Sequence, residues 1–244
     1  DVYKRQDHSQ HDMAGMDHSQ HDMSGGDGSS MEGMDHGQHN MSGMDHSQHN
    51  MGSMGQARQL AMEAGPAGYG SAQTVSYDDV RMGPQVDMLA DAAKYRLDDP
   101  GVGLRNNGRR VLTYADLFRL GPTDDPREPE REINLHLTGN MSRYMWSMNG
   151  IKFADADPLQ LKFGERVRIN LINDTMMNHP IHLHGMWSDL ETGDGKRIPR
   201  KHTVVVQPGA MLSYLVTADA MGGWAYHCHL LYHMPGMFRK VVVS

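Results

Sequence analysis

From about Arg131 onward the chain alternates apolar and polar residues with a period of two. Ile133, Leu135 and Leu137 alternate with Asn134, His136 and Thr138. That is the pattern of a half-buried strand, whose successive side chains point to opposite faces. Tyr144 to Met148, then Asn149-Gly150, then Ile151 to Phe153 reads as a hairpin closed by a type I′ turn. Val167, Ile169 and Leu171 alternate again, and Thr203 to Val206, Met211 to Thr217, Trp224 to His229 and Phe238 to Val243 supply further strands. Turn signals at Pro158, Gly164, Gly193, Gly195, Pro208-Gly209 and Gly222-Gly223 separate them. Many short strands between regular turns predict a sandwich or barrel.

Upstream the pattern weakens. Residues 56–130 read as connecting structure that packs on a neighbouring domain. Leu60 to Glu63 and Val86 to Leu97 have weak helical character, and Thr113 followed by Asp116 looks like a helix start. Residues 1–55 hold almost no Leu, Ile, Val or Phe and have too little apolar surface for a core, so disorder is expected there. Instead they repeat a short unit: DHSQHDM at 7–13 and 17–23, DHGQHNM at 35–41 and DHSQHNM at 45–51. Thioethers and imidazoles on such a chain form a copper-binding arm, since thioether is a soft ligand that selects Cu(I).

Composition narrows the function classes. The net charge of −7 and the lack of a basic stripe argue against a nucleic-acid binder. No apolar run is long enough to span a bilayer. One cysteine among 244 residues rules out an internal disulfide. No signal peptide is visible; the opening DVYKRQ resembles a translated adapter scar, and the true N-terminus is expected to lie upstream.

The chemistry concentrates in two segments, HPIHLHG at 179–185 and HCHLLYHMPGM at 227–237, which hold six histidines and the only cysteine. Alternation sends His182 and His184 to one face of their strand, with Ile181 and Leu183 opposite. It likewise sends His227 and His229 to one face and Cys228 to the other. If the strands are neighbours, four imidazoles converge on one side. His179 precedes Pro180, is therefore held extended, and is free to face Cys228. Cys228, His179 and His233, with a weak axial thioether from Met237, make the ligand set of a blue-copper site. Zinc is the rival metal, but CxxC pairs are missing. Met176, Met177, Met186, Met211, Met221 and Met234, with Asp189 and Glu191, are candidates for a Cu(I) substrate site. His136 and His202 read as ordinary sheet residues.

HPIHLHG and HCHLLYHMPGM resemble the C-terminal copper motifs of multicopper oxidases. The Met/His repeat, GVGLRNNGRRVLTYADL (101–117) and HLTGNMSRYMWSMNGIKF (136–153) resemble the periplasmic copper-resistance branch of that family. The resemblance implies an all-β, cupredoxin-like Greek-key β-sandwich over residues 131–244, the last domain of three. It implies type-1 copper on His179, Cys228, His233 and Met237, a type-2 ligand in His182, and type-3 ligands in His184, His227 and His229. His227, Cys228 and His229 would carry electrons from the type-1 site to the cluster.

Two departures stand out. The family's cluster uses eight histidines and these motifs offer four, so the rest would come from missing N-terminal cupredoxin domains. Three residues, Met234 to Gly236, separate His233 from Met237 where the family usually has four. The expected partners are copper ions, dioxygen and those missing domains, and the expected location is the periplasm. The expected activity is oxidation of Cu(I) or phenols coupled to dioxygen reduction, with this chain inactive alone. The alternative is a non-enzymatic copper-binding or electron-carrier protein, for which the four outward histidines have no use.

Overall fold

The computed structural model describes residues 75–244. The Met/His repeat and the helical reading at Leu60 to Glu63 lie outside the described residues. Within them the regular structure is all β, apart from two single 3-10 turns at Tyr114–Asp116 and Phe153–Asp155.

Two mixed sheets stack face to face. One contains β1 (Lys94–Tyr95), β2 (Arg131–Asn140), β3 (Met145–Met148), β5 (Arg166–Asn173), β7 (Ser188–Leu190), β8 (Arg200–Lys201) and β10 (Ala210–Thr217). Their order is β3-β2-β5-β10-β7-β8, with β1 added parallel to β10. The other contains β4 (Leu159–Leu161), β6 (His179–Leu183), β9 (Thr203–Val206), β11 (Gly222–Cys228) and β12 (Phe238–Val243), in the order β4-β12-β11-β6-β9. The chain crosses between sheets after β3, β4, β5, β6, β8, β9 and β10, as a sandwich requires.

The alternation predicted the core. Leu135, Leu137, Ile169, Leu171, Tyr214 and Val216 of one sheet meet Ile181, Leu183, Val204, Tyr226 and Val241 of the other. The Tyr214 and Tyr226 hydroxyls pair across this layer, so neither is left unsatisfied in the core.

Three local expectations change. The Asn149-Gly150 turn has the two positive φ angles of type I′, 52° and 70°. Its second strand, however, shrinks to one bridge, Met148 to Ile151, before the 3-10 turn. A Cβ at Gly150 would overlap the Arg81 carbonyl, so the turn needs glycine twice over. The helix start at Thr113 is real, since its N–H donates to Asp116 Oδ2 at 2.9 Å. It yields a single 3-10 turn, after which Leu117 is extended. Val86 to Leu97 is not helical. It is turns followed by β1, in which Ala93, Tyr95 and Leu97 are buried and Lys94 is exposed.

That segment covers the outer face of the larger sheet. Ala93 and Tyr95 pack on Ile172 and Met211, and the Tyr95 hydroxyl lies 2.8 Å from Ser213 Oγ. His136, read from sequence as an ordinary sheet residue, is fully buried beneath the same layer. Its Nδ1 lies 2.7 Å from Asp174 Oδ2 and its Nε2 lies 3.1 Å from the Ser76 carbonyl. Residues 75–130 thus lie against the sandwich and give it a strand.

Candidate metal centre

β6 and β11 are antiparallel neighbours, with Leu183 opposite Tyr226, His182 opposite His227 and Ile181 opposite Cys228. The pairing extends one residue at each end, His184 N–H to the Ala225 carbonyl (2.9 Å) and His229 N–H to the Pro180 carbonyl (2.6 Å). Alternation then does the sorting. Ile181, Leu183, Tyr226 and Cys228 face the core, and His182, His184, His227 and His229 face outward.

On the core side, His179 Nδ1 and His233 Nδ1 each lie 3.7 Å from Cys228 Sγ and 3.2 Å from each other. All three side chains are buried, and together they are a cluster able to hold a metal ion. His179 arrives from the start of β6. His233 arrives from a tight loop after β11, in which the Gly236 and Met237 N–H groups both donate to the His233 carbonyl, at 3.1 and 2.8 Å. The loop is clamped to β11 by the Cys228 N–H, which donates to the Met237 carbonyl at 3.0 Å. Met237 is fully buried and packs in the same core cluster as Cys228. Trp146 stacks on His233 with ring centroids 3.8 Å apart and meets His179 edge-on at 5.3 Å.

Electrostatics suit a soft cation. Burial pushes His179 down to about 3, with His233 adding to the effect, and burial pushes His233 down to about 4. Both imidazoles are therefore neutral and have lone pairs to offer at physiological pH. Burial pushes the Cys228 thiol up to about 11, against the Leu230 N–H, which lowers it. Two neutral imidazoles and one thiol converging in a dry pocket is a donor set that fits copper, and the thiolate forms when a cation replaces the proton.

On the outward side, ring centroids of the four histidines are 4.5 Å (His182–His184), 5.2 Å (His184–His227), 5.5 Å (His227–His229) and 5.6 Å (His182–His229) apart. His184 Nε2 and His227 Nε2 are 3.0 Å apart. His227 Nδ1 lies 3.0 Å from the Cys228 carbonyl, and His182 Nδ1 donates to the His202 carbonyl, so each presents Nε2 outward. Burial and neighbouring imidazoles lower the pKa of His184, and burial lowers that of His227. His184 and His229 are exposed, and a recess of about 300 Å³ opens on His182, His184 and His202.

The multicopper oxidase family model matches residues 126–244. Copper resistance protein A of Escherichia coli is 65% identical over 162 residues, covering 66% of this chain and 27% of that protein. The chain belongs to the multicopper oxidases. A copper resistance protein A homolog of Pseudomonas syringae pv. tomato is 61% identical over 168 residues, covering 68% of this chain and 28% of that protein. This multicopper oxidase chain therefore spans little more than a quarter of these relatives. The blue copper oxidase of Nitrosomonas europaea aligns over 46% of this chain and 43% of its own, at 22% identity and a TM-score of 0.42. The described residues form the two-sheet β-sandwich expected of this multicopper oxidase chain, and copper is the metal its family implies.

The two carboxylates of the set read as a Cu(I) substrate site are engaged in ion pairs. Asp189 pairs with Arg166 (3.1 Å) and Arg200 (3.2 Å), and Glu191 pairs with Arg168 (2.8 Å). Both carboxylates are buried in those pairs on the larger sheet. Met186 is in the central core and Met211 in the outer cluster, whereas Met176 and Met221 are exposed. His202 gave no signal in sequence because its contribution is a backbone carbonyl. Thr175 gave none because it lies outside both motifs, yet its hydroxyl contacts His179 at 2.6 Å.

Proposed function

We propose that this chain is the C-terminal part of a copper-dependent oxidase of copper resistance, acting in the periplasm. His179, Cys228 and His233 would hold a type-1 copper, with Met237 packed beside them. His182, His184, His227 and His229 supply half of a copper cluster, which imidazoles from another domain of a longer protein complete. The bound coppers supply one-electron acceptance at the type-1 site and the four-electron reduction of dioxygen to water at the cluster. The electrons come from Cu(I) or a phenol as substrate.

The observation that carries this reading is the division of one strand between two faces. Cys228 aims at a buried pair of imidazoles, while His227, one residue away, aims at an exposed group of them. The chain's own groups do three things. They keep two imidazoles neutral for metal, exclude water from the thiolate, and link the two faces through the Cys228 backbone and the His227 ring. His184 and His229 stand open to solvent, as ligands awaiting a second surface would.

Copper-loaded protein is expected to show an intense visible thiolate-to-copper band that Cys228→Ser abolishes. A colourless protein that retains zinc in preference to copper overturns the reading. Oxidase activity is expected to be absent from this chain alone and to appear when the preceding domains are supplied. Full activity from this chain alone refutes the shared cluster.

A further inference from the structure

β5 ends at Asn173, and a tight loop carries the chain across to His179 on the other sheet. Residues 173–175 alternate in direction. Asp174 turns to the outer layer, where it accepts from the Ala90 N–H (2.9 Å) and meets His136. Asn173 and Thr175 turn toward the buried metal centre. Asn173, Thr175 and His179 are all buried.

Their hydrogen bonds have one consistent direction. Asn173 Nδ2 lies 2.7 Å from the Met177 carbonyl and 2.9 Å from the Val206 carbonyl. Two carbonyls can only accept, so the amide nitrogen must face them and Oδ1 must face the other way. Oδ1 accepts from the Thr175 N–H and the Thr175 hydroxyl, both at 2.9 Å. A hydroxyl has one proton, and its carbonyl acceptors are Asn173 Oδ1 at 2.9 Å and the Met177 carbonyl at 3.3 Å. With the proton on the nearer of these, Thr175 Oγ1 meets His179 Nε2, 2.6 Å away, as an acceptor. Nε2 must then carry the hydrogen, and the Nδ1 lone pair is left pointing at Cys228 Sγ and His233 Nδ1.

We infer that Asn173 and Thr175 are positioning residues. They form a relay that reads two backbone carbonyls and thereby fixes the tautomer and ring plane of His179. The inference rests on the type-1 reading above. Its physical basis is that a ligating imidazole depends on the acceptor at its other nitrogen, and loss of such a partner typically lowers metal affinity by roughly 10- to 100-fold. His233 is held differently, by the stacked Trp146 ring. The two imidazoles therefore respond to different substitutions.

The test uses the full chain and two substitutions, Thr175→Val and Thr175→Ser. In the metal-free protein at neutral pH, long-range proton–nitrogen NMR reads the His179 tautomer. Nε2–H is expected in the wild type and in Thr175→Ser, and a mixture in Thr175→Val. Titrated with copper against a chelator, Thr175→Val is expected to bind roughly 10- to 100-fold more weakly with a shifted visible band. Thr175→Ser is expected to restore both. Wild-type affinity, band and tautomer in Thr175→Val overturn the relay. If Thr175→Val does not fold, the wild-type tautomer still decides, because Nδ1–H on His179 overturns the relay by itself. A wild type that binds copper without a thiolate band overturns the type-1 reading. That failure is distinct from failure of the relay, since the tautomer is measured without metal.

Discussion

His227 Nδ1 lies 3.0 Å from the carbonyl oxygen of Cys228, although the two side chains leave the sheet on opposite faces. A period-two strand is the only regular element that gives adjacent residues opposite surroundings while keeping them one peptide apart. The buried triad and the outward imidazoles should then be separable. His184→Ala removes an exposed ring from the outward group and none from the triad. Its expected outcome is an unchanged visible band with reduced binding of any further copper, checked by absorption and copper analysis. A lost or shifted band contradicts the separation of the two faces.

Copper binding should release one proton per ion at the triad. Without metal, Cys228 is a thiol up to about 11, while His179 and His233 shed their protons near 3 and 4. Between about pH 5 and pH 9 only the thiol has a proton to lose, so apparent affinity should rise about tenfold per pH unit. Below about pH 4 the imidazoles also compete and the slope steepens. Calorimetry in buffers of different ionisation heat measures the release directly. A value near zero at pH 7 means that Cys228 does not bind the metal as thiolate.

Trp146 is buried, whereas Tyr144, which meets it edge-on at 5.5 Å, is 51% exposed. Trp146→Ala leaves a cavity against His233 and should cost roughly 3–5 kcal/mol by denaturant unfolding. Tyr144→Ala should cost less than half of that. Equal costs would mean that Trp146 is not part of the packed wall of the site.

The sequence made the strands and the two motifs legible for one reason: in both, the signal is local. Ile133, Leu135 and Leu137 state a strand by themselves, and HCH states two faces in three residues. What it hid depends on register. Asp189 and Glu191 read as candidates for a Cu(I) substrate site because Arg166 and Arg168, more than twenty positions earlier, give no sign of lying beside them. His136 gave no hint of burial, since Asp174 and residues 75–76 come from other elements. Ala93, Tyr95 and Leu97 do alternate, but three residues among turns carry less weight than the longer helix-like spacing from Val86, and packing on Ile172 and Met211 decided the outcome.

Gly236 joins this packing argument to the metal centre. A Cβ at this position would overlap the Trp146 carbonyl, which belongs to backbone and has no room to yield. The Gly236 carbonyl also accepts from the Phe153 N–H at 3.1 Å, so the loop is fastened on a second side. Gly236→Ala must then push the loop from β3 or strain it, at a cost of about 1–3 kcal/mol. His233 and Met237 flank the glycine in that loop, so the displacement reaches the ligands, and the copper-loaded variant should show a weakened or shifted visible band. Gly195→Ala is the matched control. A Cβ there has nothing within 4 Å, and its effect should stay within about 0.5 kcal/mol with the band intact. Unfolding curves and absorption spectra of the two variants settle the matter. If Gly236→Ala behaves like the control, the close approach of the loop to Trp146 does not position His233.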